Sequence, residues 1–162
     1  MSLAYDSMSN RETSASSEAM QRIVTFKVDG RSFGVDVASV REIKGWQPTT
    51  PLPNAALHVL GVINLRGAII AVYDLRRRLG LGASTISRSS VVIVVDLGER
   101  LAGLLVDAVS DIVDIQVSAL RPAPEIAGEG DDILQALVVK GDDVVALLDL
   151  ASVIRESMGL AA

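Results

Sequence analysis

The chain has 162 residues, 49% of them apolar, and a mean hydropathy of +0.40, enough to bury one sizeable core or two small ones that lean on each other. A net charge of −5 and an aromatic content of 3% exclude a nucleic-acid reader, because acidic surface repels phosphate and little is left to stack on bases. The absence of cysteine removes disulfides, thiolate metal sites and cysteine nucleophiles, and fits a reducing compartment.

Residues 1–20 are rich in Ser, Glu and Asn and have no apolar period, so they read as a disordered tail. No apolar run approaches the ~18 residues of a membrane span, and no signal-peptide core is present. The reading is a soluble, cytoplasmic protein without direct membrane insertion. From Gln21 the pattern alternates. Val24, Phe26 and Val28 face one way, and Thr25 and Lys27 the other. Asp29-Gly30 is a hairpin turn, and the return strand places Phe33, Val35 and Val37 inward. Val40 to Ile43 starts a third strand toward Trp46, and Pro48, Pro51 and Pro53 then break pairing. Asn54 to Leu60 reads as one helical turn.

Gly61 to Leu75 is the centre of the pattern: two apolar runs about an Arg66-Gly67 turn, a hairpin filled with Val, Ile and Tyr. Asp74 stands as N-cap of a short helix to Gly80. A polar linker covers 83–90, and strands are expected over Val91 to Val95 and Leu101 to Val106, extended by Val109 to Ile115. Ser118 is expected to cap a short helix before Pro122, with an acidic loop over Glu125 to Asp132. A last hairpin turns about Lys140 to Asp143, and Asp149 caps a final helix, Leu150 to Met158.

Two pieces recur. Gly34 to Ile43 aligns without a gap on Gly103 to Ile112, and Val62 to Leu79 matches Leu137 to Ile154. Each copy holds roughly five short strands, which argues for an all-β chain of two small barrels and against one sandwich. Halves of ~60–70 residues make marginal cores, so they are expected to share a core or exchange elements.

Catalytic patterns are missing. His58 is the only histidine and sits in an apolar context, which leaves no zinc site and no triad with a nucleophile elbow. Gly80-Leu81-Gly82 follows a helix and does not open one, so it is no phosphate loop. Asp131-Asp132 and Asp142-Asp143 read as solvated turns, and Arg76-Arg77-Arg78 as a wet helix face. Glu42 and Arg66, opposite charges on apolar units, stand out. They form either an intradomain ion pair or part of an interaction surface, and a partly buried pair would cost ~3–5 kcal/mol to break.

At these residues the sequence resembles the CheW family of chemotaxis coupling proteins, across about residues 21–156. The matching segments are Phe33 to Asp36, Val40 to Ile43, Gly61 to Gly67, Val72 to Arg76, Val106 to Asp111 and Arg121 to Glu125. The resemblance implies two SH3-like five-stranded β-barrel subdomains with short helices, intertwined over 21–158 and divided roughly as 21–82 and 88–158, with a hydrophobic groove between them. It implies no enzymatic activity and no cofactor. The implied partners are the histidine kinase CheA, through its CheW-like regulatory domain, and the cytoplasmic tips of chemoreceptors, the methyl-accepting chemotaxis proteins. Recruitment to membrane-associated receptor arrays follows, with an adaptor for pilus motility or another non-flagellar kinase pathway as the alternative. By motif position, Val40, Gly61 and Arg66 fall on the receptor-coupling surface, and Glu42 pairs with Arg66. With Asn64 they complete the expected protein-binding set. Ala136 and Asp143 depart from the family's usual glycine and basic residue.

Overall fold

The computed structural model describes residues 19–98, 100–123 and 133–154. Its strands are β1 (Met20–Val28), β2 (Arg31–Asp36), β3 (Val40–Gly45), β4 (Val59–Leu65), β5 (Ala68–Asp74), β6 (Val91–Asp96), β7 (Leu101–Val106), β8 (Ala108–Gln116), β9 (Leu134–Lys140) and β10 (Asp143–Leu148). A short helix, α1 (Leu75–Arg78), follows β5, and residues 150–154 are helical after β10. Most of the expected tail, the whole of the acidic loop and the end of the final helix lie outside the described residues.

The strands form two five-stranded sheets, ordered β8-β1-β2-β10-β9 and β3-β6-β7-β5-β4. Each sheet takes strands from both copies of the repeat. The first copy gives β1 and β2 to one sheet and β3, β4 and β5 to the other; the second copy does the converse. The chain therefore passes between the sheets at two places, Val37–Ser39 and Asp107. The exchange is symmetric to the residue. The parallel pair β2–β10 sets Gly34 against Leu147, and the parallel pair β7–β5 sets Gly103 against Val72, the same positions that the repeats superpose.

Those two glycines are small for a reason. A Cβ on Gly34 would meet Leu147 Cδ2 at 3.0 Å, and one on Gly103 would meet Val92 Cγ1 at 2.8 Å. The central strands are buried on both faces. Val92, Val94 and Leu105 pack with Ile63, Leu65, Ile70 and Val72 inside the second sheet. Ile23, Val138, Val145 and Leu147 pack inside the first. Between the sheets, Val24, Phe26, Phe33 and Val35 meet Tyr73, Ile93, Val95 and Leu104 in one shared core. Full burial of each such side chain is worth ~1.5–3 kcal/mol, so neither sheet is left to stabilise itself.

The sheets are SH3-like but do not close into barrels. Closure stops at one bridge in each: Thr50 with Val62, at 2.9 Å in both directions, and Arg121 with Leu137, at 2.8 Å in both directions. The sequence explains the stop. Pro51 and Pro122 follow the two bridging residues, and proline has no N–H to continue a ladder.

Three local expectations are corrected. Residues 54–60 form turns and the start of β4, with no helix. Thr25 is buried, because β1 is covered on both faces, and its Oγ1 donates to Asp111 O at 3.2 Å. The arginine run is no wet face. Arg78 is buried, with Nε and Nη2 donating to the carbonyls of Val153 and Ser152 at 3.0 and 3.1 Å, and Arg76 pairs with Asp29 at 2.7 Å. A four-residue helix at the junction of two sheets has too little outer face for three solvated arginines. Asp74 caps this helix as expected, accepting from Arg77 N–H at 3.4 Å; it also accepts the N–H of Ser84 at 3.0 Å and the Ser84 hydroxyl.

Tyr73 lies in the shared core, and burial raises its phenol above the ordinary value near 10, with Arg100 opposing. The neutral form is thus favoured in the fold. Its contribution to stability is complete below the unfolded pKa and is lost as pH rises through the folded one. Denaturation measured between neutral and strongly alkaline pH is expected to show a loss of stability above about pH 10 that is shallower in Tyr73→Phe. Equal slopes in the two proteins would remove Tyr73 from that loss.

Candidate functional site

The β4–β5 hairpin is built around its turn. Leu65 faces Ala68, so the loop is two residues long, and both have positive φ, Arg66 at 51° and Gly67 at 92°. That is the type I′ geometry, which suits the twist of a hairpin and is chosen by Asn-Gly or Asp-Gly pairs. Asp29-Gly30, at 54° and 73°, obeys the rule in the β1–β2 turn. Arg66 does not: an L-residue with a Cβ and a long side chain occupies the position that Asn or Asp would fill at lower cost. Asn64 steadies the turn by accepting the Gly67 N–H on Oδ1 at 2.8 Å.

Arg66 reaches from this turn to β3, the opposite edge strand of the same sheet. Its Nη1 lies 2.7 Å from Glu42 Oε1. The pair thus joins edges that backbone hydrogen bonds leave apart. The Arg66 side chain stays 76% exposed while that of Glu42 is 22% exposed. The expected cost of breaking a buried pair is corrected accordingly: with the cation in water, the contribution falls to about 1 kcal/mol or less.

Gly61 sits where β4 kinks, between the Val59 and Gly61 pairings, with φ at 145°. The segment leaving β3 crosses here, and a Cβ would stand 2.3 Å from Thr50 O. Val40 begins β3, half-buried against the shared core and paired with Val95. A bulge at Arg41 separates it from Glu42. The structure therefore brings Glu42 and Arg66 together and puts Asn64 beside the turn, while Gly61 lies against Thr50 and Val40 against the shared core, and neither is brought to the pair by a contact.

The sequence reading missed the neighbouring groove. Ala68 to Ala71 line an open depression of about 680 Å³ with Arg41, Asp96, Gly98, Arg100 and Leu101. Arg41 Nη1 pairs with Asp96 Oδ2 at 2.7 Å across its rim. Ile69 is 66% exposed there, out of phase with Ile70 and Val72, which are buried. The signal was present as an unbroken apolar run directly after a turn, where strict alternation leaves every second residue in water. Among the described residues, no group of three His, Asp or Glu side chains is placed to hold a metal ion, and no helix is long and apolar enough to cross a membrane.

Residues 22–158 match the model of the CheW-like domain. The chain is 40% identical to the chemotaxis protein CheW of Rhizobium meliloti over 82% of its own length and 86% of that protein. It is 34% identical to the probable chemotaxis protein CheW of Rhizobium etli over 88% and 92% of the two chains. The crystal structure of the scaffolding protein TtCheW from Thermoanaerobacter tengcongensis superposes with a TM-score of 0.75 at 30% identity, over 80% of this chain and 84% of that one. The chain belongs to the CheW family of chemotaxis coupling proteins.

Proposed function

We propose that this chain is a non-enzymatic adaptor that couples the cytoplasmic tips of chemoreceptors to the histidine kinase CheA, through the kinase's CheW-like regulatory domain. It works in the cytoplasm and is recruited to receptor arrays at the membrane. Val40, Glu42, Gly61, Asn64 and Arg66 are its contact surface and the scaffold of that surface. One observation carries the reading of the site: Arg66 holds a strained left-handed position that folding alone would give to Asn, and its charge stays open to water although Glu42 orients it. A side chain kept at such a cost is kept for what it meets outside the fold.

With Nη1 on Glu42, the guanidinium keeps Nε and Nη2, so a partner's carboxylate or backbone carbonyls can add to the pair without displacing it. Contacts of ~1,000 Å² or less bind weakly and reversibly, and repetition through an array multiplies such contacts. The test is co-sedimentation of the purified chain with a CheA regulatory-domain fragment and with a receptor-tip fragment. Reversible capture of both is expected. Failure of the folded protein to bind either would overturn the proposal.

A further inference from the structure

Two chain crossings join the sheets, and they are related by the internal repeat, yet only one is tied down by charge. At Asp107 the backbone N–H donates to Lys27 O at 3.0 Å, and the carboxylate accepts the Asp29 N–H at 2.8 Å. Arg76, from α1 of the other sheet's side, lies 2.7 Å from Asp29 and 3.9 Å from Asp107. The residues that the repeat superposes on Arg76, Asp29 and Asp107 are Ala151, Gly98 and Ala38. They have no side chains for such a cluster. At the crossing over Val37–Ser39, Asp36 accepts from Ala38 N–H at 2.8 Å and from Gln21 Nε2 at 3.2 Å. Both contacts stay on the first sheet's side, and among the described residues no ion pair ties that crossing to the second sheet.

The cluster is also unfinished. One guanidinium nitrogen has a short contact, another a long one, and Nε is buried with no hydrogen-bond acceptor. A buried N–H left unmade favours any arrangement that brings an acceptor to it. A small rotation of one sheet against the other moves Asp29 and Asp107, carried at the end of one sheet, past Arg76 on α1 of the other.

We propose that Arg76 is a latch on one of the two hinges between the sheets: engaged with Asp29 and Asp107 it fixes the angle between them, and released it lets the sheets turn about the bare crossing at 37–39. β3, which carries Glu42, starts at that bare crossing, so the turn moves the Glu42–Arg66 surface relative to the first sheet. Arg78, bound to the carbonyls of Ser152 and Val153, keeps the motion a limited rotation.

The chain has no cysteine, so spin labels can be placed without background. Labels at Gln135→Cys on β9 and Ala68→Cys on β5, both exposed and on different sheets, report the angle by pulsed dipolar spectroscopy. One narrow distance distribution is expected in the parent chain and at least a twofold wider one in Arg76→Leu and Asp107→Asn, with Arg77→Leu unchanged. If Arg76→Leu does not fold, Arg76→Lys, which keeps the charge but replaces the planar fork of donors with a single ammonium, is expected to broaden the distribution in its place. An unchanged width in the folded Arg76 and Asp107 variants overturns the latch, and so does equal broadening in Arg77→Leu.

Discussion

Gly61→Val is expected to destabilise the protein by about 3 kcal/mol, with a fall in melting temperature of roughly 6–12 °C. Two costs add. The φ of 145° is one that residues with a Cβ rarely adopt. The new Cβ would also stand 2.3 Å from Thr50 O and 2.7 Å from Thr50 C, backbone atoms that cannot rotate away. Relief requires the 47–53 segment to lift, and lifting it breaks the two hydrogen bonds between Thr50 and Val62, the bridge at which closure of this sheet stops. Thermal and urea denaturation both measure the effect. A shift below about 2 °C would mean that the crossing segment is free to move, and the tight approach at Gly61 would lose its meaning.

Arg66→Asn is expected to separate folding from binding. Asn-Gly is the pair that a type I′ turn prefers, so the variant should be as stable as the parent or slightly more so, within about 1 kcal/mol, the loss of the exposed ion pair included. Capture of the kinase or receptor fragment should fall at least tenfold, which is about 1.4 kcal/mol. Arg77→Ala is expected to lose less than half a decade, since Arg77 lies outside the Glu42–Arg66 unit. Undiminished binding by Arg66→Asn would return the residue to the status of a structural clip. A parallel loss of stability would show that the strain at φ 51° is better tolerated by Arg than by Asn, contrary to the turn rule.

The Glu42–Arg66 ion pair was legible from residues alone, because a charge in the middle of an apolar hairpin must find either a partner or water. Its weight was not legible. A sequence places Arg66 in a turn and Glu42 on a strand but does not give the 76% exposure that makes their bond a weak one. The arginine run shows the opposite error. Three consecutive cations read as solvated, yet two of them bind across the sheet junction, where Asp29 and the carbonyls of Ser152 and Val153 wait.

By itself the sequence determined the strands, their turns and the repeat, since alternation, Asp-Gly and Arg-Gly pairs, prolines and helix caps act within a few residues of where they stand. Family membership was legible for the same reason: ordered local motifs survive in the chain whatever it folds against. The tertiary structure alone decided which strands pair. A hairpin with two apolar faces is satisfied equally by its own copy or by the other, and only the pairing of Gly34 with Leu147 and of Gly103 with Val72 selects the exchange. Those close approaches, like the joining of β3 to the β4–β5 turn and the cluster at Arg76, link residues far apart in sequence, where no local period carries information about distance.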